Sequence, residues 1–223
     1  MSKGQLIVME GLDGSGKQTQ STILEETLRG QGRQVSRISF PNYESPAAAP
    51  IKMYLAGEIG TLNDINAYAA SSFYAVDRYV SFQTNWKTPY NDGNTIIADR
   101  YTTANAYHQM SRLDRAEWDT YLDWLWDFEF GRLGLPRPDL VLYLDMHPEI
   151  SWSLIEKRYE GDASKRDLHE ANYNYLLSCR EAAIYAAARL GWTVVPCFAD
   201  GKPLTIEHIA GEILKLVDAH LAK

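Results

Sequence analysis

Residues Gly11-Leu12-Asp13-Gly14-Ser15-Gly16-Lys17 match the pattern G-x-x-x-x-G-K, and that spacing suits phosphate chemistry. Glycines allow the backbone to curl so that its N–H groups point inward, and a helix start adds positive potential. Lys17 can then reach the outer phosphates of a nucleotide. A turn that merely needed glycines would have no use for the lysine. The segment therefore predicts a nucleoside triphosphate site contacted by Gly11, Asp13, Gly14, Ser15, Gly16, Lys17, Gln18 and Thr19.

A second set of reactive side chains closes the apolar run 95–99. In a doubly wound sheet the strand C-termini line the ligand crevice, so Asp99 and Arg100 are expected beside the phosphates. Asp99 could hold Mg²⁺ directly or through water, and the planar fork of Arg100 could clamp a phosphate. The plain alternative is a structural ion pair at a strand end. Asp145 ends another such run. A helix cap ahead of Pro148 is favoured for it over a second Mg²⁺ contact, because a carboxylate there offsets the helix dipole. Lys157, Arg158, Lys165 and Arg166 flank Gly161-Asp162-Ala163-Ser164. They read either as a solvated face or as a mobile basic lid over residues 157–168 that keeps water from the transferring group. Tyr74 and Arg78 stand four apart on one helix face. Core packing with a surface salt bridge is the plain reading; stacking on a base and bonding its carbonyl is the functional one.

Strands are expected at 6–10, 34–40, 95–99, 140–145 and 193–196. Helical patterns lie between them at 17–29, 47–57, 64–86, 114–130, 147–159, 168–190 and 205–222. Strands alternating with helices predict an α/β fold of the three-layer sandwich kind, a parallel sheet flanked by helices, in one domain over 1–223. Gly30 is expected to stop the first helix and Pro148 to open a later one. The aromatic segment from Trp118 to Phe130 reads as an amphipathic helix packed on the core rather than a ligand platform; Trp124 falls on the other side, where part of the helix could also meet a partner subunit. Net charge is −7, which disfavours nucleic acid or anionic lipid as a partner but leaves small phosphorylated substrates open. Cys179 and Cys197 are too few for a disulfide framework, which suits a reducing cytoplasm. His169-Glu170 lacks a second histidine at metal-ligand spacing and reads as a surface pair. No apolar run is long enough to span a membrane.

In chain order, Gly11-x-Asp13-Gly14-x-Gly16-Lys17-x-Thr19-Gln20, Phe40-Pro41, Tyr74 with Arg78, Asp99-Arg100-Tyr101 with Gln109, and Pro138-Asp139-Leu140 with Leu144-Asp145 resemble the thymidylate kinase family. The resemblance covers nearly the whole chain. It implies a five-stranded parallel P-loop fold, a homodimer through long helices, and ATP with Mg²⁺ acting on dTMP. It implies that Lys17 and the loop amides bind ATP, that Asp13 meets the sugar of the monophosphate, and that Asp99 organises Mg²⁺. Tyr74 would stack on thymine, Arg78 would bond the base, and Arg100 would hold the acceptor phosphate. Asn105 and Gln109 would complete the acceptor contacts. Gly14 is neutral, so Arg158 or Arg166 is the implied basic donor to the transferring group. Three positions and one segment depart from the family pattern. Gln18 replaces the Ser or Thr that meets Mg²⁺, 42–45 carry no arginine, Ala104 replaces a serine, and His108 replaces an aromatic residue near the sugar. A kinase for another pyrimidine nucleotide or deoxynucleoside, and a non-catalytic nucleotide-binding paralogue, stay open. A GTPase switch is disfavoured, because Ser164-Lys-Arg-Asp167 lacks the Asn or Thr that guanine reading needs.

Overall fold

The computed structural model describes residues 3–61, 64–158 and 173–222, with only the backbone of 155–158. β1 (Leu6–Gly11) leads through the glycine loop into α1 (Lys17–Gly30) and β2 (Val35–Ser39). α2 (Ala49–Leu55), α3 (Ala67–Ser81) and α4 (Lys87–Asn91) precede β3 (Thr95–Asp99). Then come α5 (Thr102–His108), α6 (Trp118–Trp126), β4 (Leu140–Asp145) and α7 (Pro148–Arg158). The described chain closes with α8 (Tyr173–Leu190), β5 (Thr193–Pro196), the short pair β6 (Phe198–Ala199) and β7 (Lys202–Pro203), and α9 (Ile206–Leu221).

Five strands form one parallel sheet in the order β2-β3-β1-β4-β5. β1 is central and buried throughout, which is why Leu6 to Met9 are apolar in succession rather than in alternation, with Glu10 the one acid in the strand. Strand alternation still sorts the side chains. Leu6, Val8, Ile96, Ala98 and Tyr143 join a core with residues of α5, α6 and α8. Ile7, Met9, Ile97, Leu142 and Leu144 join a second core with residues of α1 and α9. The result is the expected three-layer α/β sandwich. Strand order reverses at β1, between β3 and β4, so a crevice forms at their C-terminal ends.

Several elements differ from the expected ones for local reasons. The helix expected at 47–57 begins as a 3₁₀ turn, Pro46–Ala48, and becomes α2 only at Ala49. Pro50 has no N–H to donate, so it is accepted only in a first turn. The pattern at 64–86 gives α3, a π-helical turn at Phe82–Trp86, and then α4. Pro89 cannot bond the carbonyl four residues back, and the wider turn takes up that defect. α1 runs to Gly30 and is capped at Gln31, but the left-handed residue that stops it is Gly32, with φ +81° and Arg33 N–H bonded to Leu28 O at 3.1 Å. α5 was not expected. Residues Thr102 to Tyr107 are all buried, so they carry no apolar stripe to reveal a helix. Trp124 packs on Tyr68 with ring centroids 4.7 Å apart and stays half-buried. The lid expected at 157–168 (the Arg158 side chain and Arg166 included) and His169-Glu170 lie outside the described residues.

Candidate active site

A cavity of about 510 Å³ opens where β2 and β3 end and the glycine loop leaves β1. The loop takes its shape from glycines at left-handed angles, φ 78° at Gly14 and 90° at Gly16. Gly11 tolerates no side chain, since a Cβ there would stand 2.5 Å from Ser15 Oγ and 2.8 Å from Leu144 O. The first-turn N–H groups of α1, at Lys17, Gln18 and Thr19, have no acceptor within the helix, which starts with Gln20 N–H on Gly16 O at 3.0 Å. Ser15 Oγ is buried without a partner among the described residues. Lys17 folds back over the loop, its Nζ donating to Leu12 O at 2.8 Å and standing 3.9 Å from Asp13 Oδ1. Burial, and then the neighbouring Arg100 cation, pull the Lys17 pKa down to about 8, against the attraction of Asp13, Asp99 and Glu10.

Arg100 is the hub of the site. Its backbone sits at φ 65°, an uncommon conformation for a side chain of this size, fixed by its N–H bond to Met9 O at 3.0 Å. The guanidinium pairs with Asp13, and its Nη1 lies 3.0 Å from Tyr107 Oη and 2.9 Å from His108 Nε2. A guanidinium only donates, so His108 Nε2 is the acceptor and that imidazole is neutral in this arrangement. Tyr107 in turn reaches Glu10 Oε2 at 2.8 Å and Gly11 O at 3.0 Å. Glu10 is fully buried and also accepts from Thr103 Oγ1 at 2.6 Å and Tyr101 N–H at 3.0 Å. Burial raises its pKa, with Arg100 and those hydrogen bonds opposing. For Asp13, burial pushes the carboxyl up, but the Arg100 and Lys17 cations lead the groups that outweigh it and hold it well below the usual carboxylate range. Burial likewise works against the Arg100 charge, and Asp13 heads the groups that overcome it.

Tyr74, Arg78, Asn105 and Gln109 line the same cavity. Tyr74 meets Tyr54 edge-on, with centroids 6.5 Å apart. Asn105 Nδ2 reaches Ser71 O at 3.4 Å, and Gln109 Oε1 accepts from Arg112 Nη1 at 2.6 Å. Arg78 is buried against Glu129, so its ion pair is not the surface salt bridge of the plain reading.

The fold thus gathers Asp13, Gly14, Gly16, Lys17, Gln18, Thr19, Asp99 and Arg100 with these four residues around one cavity, while Gly11 and Ser15 are buried at the base of the loop. Asp145 is neither a cap nor free for a metal. Arg180 grips both its oxygens at 2.7 and 2.8 Å, and His147 supplies the carbonyl that opens α7. Sequence reasoning missed Glu10, Tyr107 and Glu129. A carboxylate inside the apolar run of β1 was the one visible signal, because an acid there must be matched by buried donors.

Comparison with known proteins decides the family. A family model described as thymidylate kinase matches residues 9–197. The chain belongs to the thymidylate kinase family. Thymidylate kinase of Mycobacterium tuberculosis (strain ATCC 25618 / H37Rv) is 34% identical over 190 residues, covering 84% of this chain and 87% of that protein. Thymidylate kinase of Rhodopirellula baltica is 28% identical over 212 residues, covering 94% and 78%. The solved structure of thymidylate kinase from Candida albicans aligns with a TM-score of 0.73, covering 98% of this chain and 93% of that one, at 24% identity, which speaks for the fold. Every cavity-lining residue named above falls inside the thymidylate kinase match.

Proposed function

We propose that the chain transfers the γ-phosphoryl group of ATP to dTMP, giving ADP and dTDP. One observation carries this reading: a single cavity unites the phosphate loop and Lys17 with Arg100 and with an aromatic and amide-lined region able to hold a pyrimidine. In this reading the loop amides from Gly11 to Thr19 and Lys17 hold ATP. Asp13 meets the acceptor sugar and Arg100 grips its phosphate. Tyr74 stacks on the base, and Arg78, Asn105 and Gln109 bond its edge. The acceptor is already an ionised phosphate, so no strong general base is needed, and rate comes from alignment and charge neutralisation. Arg158 and Arg166 are proposed as the cations brought to the transferring group by a basic lid over 157–168.

No group of three or more His, Cys, Asp or Glu side chains that could hold a metal exists among the described residues. That suits Mg²⁺, which keeps its waters and phosphate oxygens and takes only one or two protein ligands. Asp99 fits the role, since its carboxylate lines the cavity and makes no hydrogen bond or ion pair among the described residues. Gln18 is exposed at the cavity rim, where its amide oxygen would help hold the ion through a water. When bound, the ion supplies charge neutralisation at the phosphate oxygens. Gln18→Ser is expected to match or exceed wild-type turnover at low Mg²⁺, and Gln18→Ala to cost less than about tenfold, because a long amide stem loses entropy on direct ligation. Turnover against Mg²⁺ concentration checks both. Complete loss in Gln18→Ala at saturating Mg²⁺ would give this residue a more direct task.

The assembly proposed is a homodimer. Val76 and Tyr79 on α3 are 49% and 39% exposed, an apolar pair that a second copy would cover. Two free, buried cysteines support a reducing, cytoplasmic setting. No described helix is long and apolar enough to cross a membrane. The deciding experiment is ADP release with dTMP, dUMP, UMP, CMP and thymidine as acceptors. The expected result is dTMP fastest. Transfer to none of them would leave a nucleotide-binding paralogue without catalysis.

A further inference from the structure

We infer that Glu129, unused in the reaction above, is the positioning residue that makes Arg78 a reader of keto pyrimidines. This rests on the proposed acceptor site and deepens it. Glu129 lies in the π-helical turn Asp127–Arg132 that follows α6, and it is fully buried. Its Oε2 accepts from Arg78 Nε at 2.7 Å and from Thr102 Oγ1 at 2.7 Å, while Oε1 accepts from Arg78 Nη2 at 2.5 Å. Arg78 is 1% exposed yet lines the cavity, so it has no freedom to swing into water. Burial alone would lower its pKa, but Glu129 and the hydrogen bonds to it outweigh that and raise it.

A guanidinium has five N–H donors and no acceptor. Glu129 takes the Nε–H and one Nη2–H, and Tyr101 O lies 3.4 Å from Nη1, which leaves one N–H on each terminal nitrogen. Donors fixed in this way at the cavity wall can satisfy a carbonyl at the base edge, as in thymine or uracil. A cytosine amino group at that edge would set donor against donor in a buried site, and leaving charged donors unpaired there is strongly penalised. The discrimination requires a guanidinium that cannot rotate to offer a different edge. Glu129 supplies that rigidity through the fork, and Thr102 fixes the carboxylate from the start of α5, two residues after Arg100.

The test compares kcat/KM for dTMP with that for dCMP in Glu129→Gln and Thr102→Val, with thermal melts run alongside. Gln keeps the shape but replaces one acceptor oxygen with a donor, so the fork breaks; Val removes only the Thr102 hydroxyl bond. The dTMP preference should fall by about tenfold or more in Glu129→Gln and about threefold in Thr102→Val, mainly through a higher KM for dTMP, with KM for ATP little moved. A merely structural Glu129 would lower the melting temperature and the turnover of both acceptors together and leave their ratio alone. An unaltered ratio in both folded variants overturns the inference. Should Glu129→Gln fail to fold, an unaltered ratio in Thr102→Val overturns it. Failure of the wild type to phosphorylate dTMP would instead overturn the proposed function, and this inference with it.

Discussion

Lys17→Ala is expected to lower kcat by about 10²-fold to 10³-fold, the usual cost of removing a buried charge aimed at a developing one. The fold should survive, because Lys17 spends much of its charge in an unfavourable place. Burial leads the pull of its pKa down to about 8, and Arg100 adds to it. This gives two opposite pH dependences. Bound triphosphate keeps Lys17 protonated, so above pH 8 binding must take up a proton and ATP affinity falls, by up to about tenfold per pH unit. The free protein behaves the other way. Between about pH 8 and pH 10 the unfolded chain still holds the Lys17 proton that the folded chain has released, so this residue's contribution to stability rises with pH. ATP titrations across that range should show the falling limb in wild type and a flat line in Lys17→Arg, whose charge persists. Flat wild-type affinity would mean that Lys17 does not meet the phosphates.

What could be read from the chain beforehand was whatever is local. The glycine loop is a run of adjacent residues, and three of the strands, 95–99, 140–145 and 193–196, end where apolar runs meet a charge or a proline. Partners distant in sequence leave no spacing to read. Asp145 looked like a cap because Pro148 is near it, whereas its partner Arg180 lies 35 residues on. Tyr107 and Glu10 are 97 positions apart, and Arg78 and Glu129 are 51. Glu129 was further hidden among aromatics, where periodicity alone marks a core helix. α5 was invisible for the related reason that a helix buried on all sides shows no stripe, yet it carries Asn105, Tyr107 and His108 into the site. Residue types at the site were thus legible, while the arrangement that orients them came only with the fold.

That arrangement gives Arg100 the second large effect. Arg100→Met should lower kcat/KM for dTMP by about 10²-fold to 10³-fold, with KM rising and kcat falling together. Loss of charge-assisted bonds to a phosphate accounts for part of this, at about 1.5–3 kcal/mol per bond. The rest comes from what stays behind. Asp13 loses its ion-pair partner, and Glu10 loses the cation that offsets its burial, so two acids then face an incoming dianion. Arg100→Lys should recover only part of the loss, because an ammonium cannot bond Asp13, Tyr107, His108 and a phosphate through one planar fork. Arg100→Gly separates the backbone from the side chain. At φ 65° a glycine removes the conformational penalty, so Arg100→Gly should be more stable than Arg100→Met by about 1 kcal/mol while being no more active. Melting temperatures of the two variants, set beside kinetics of all three, make the comparison. Should Arg100→Met retain wild-type kcat/KM for dTMP, the acceptor phosphate must be held elsewhere, and Arg100 would serve only to tie Asp13 to the end of β3.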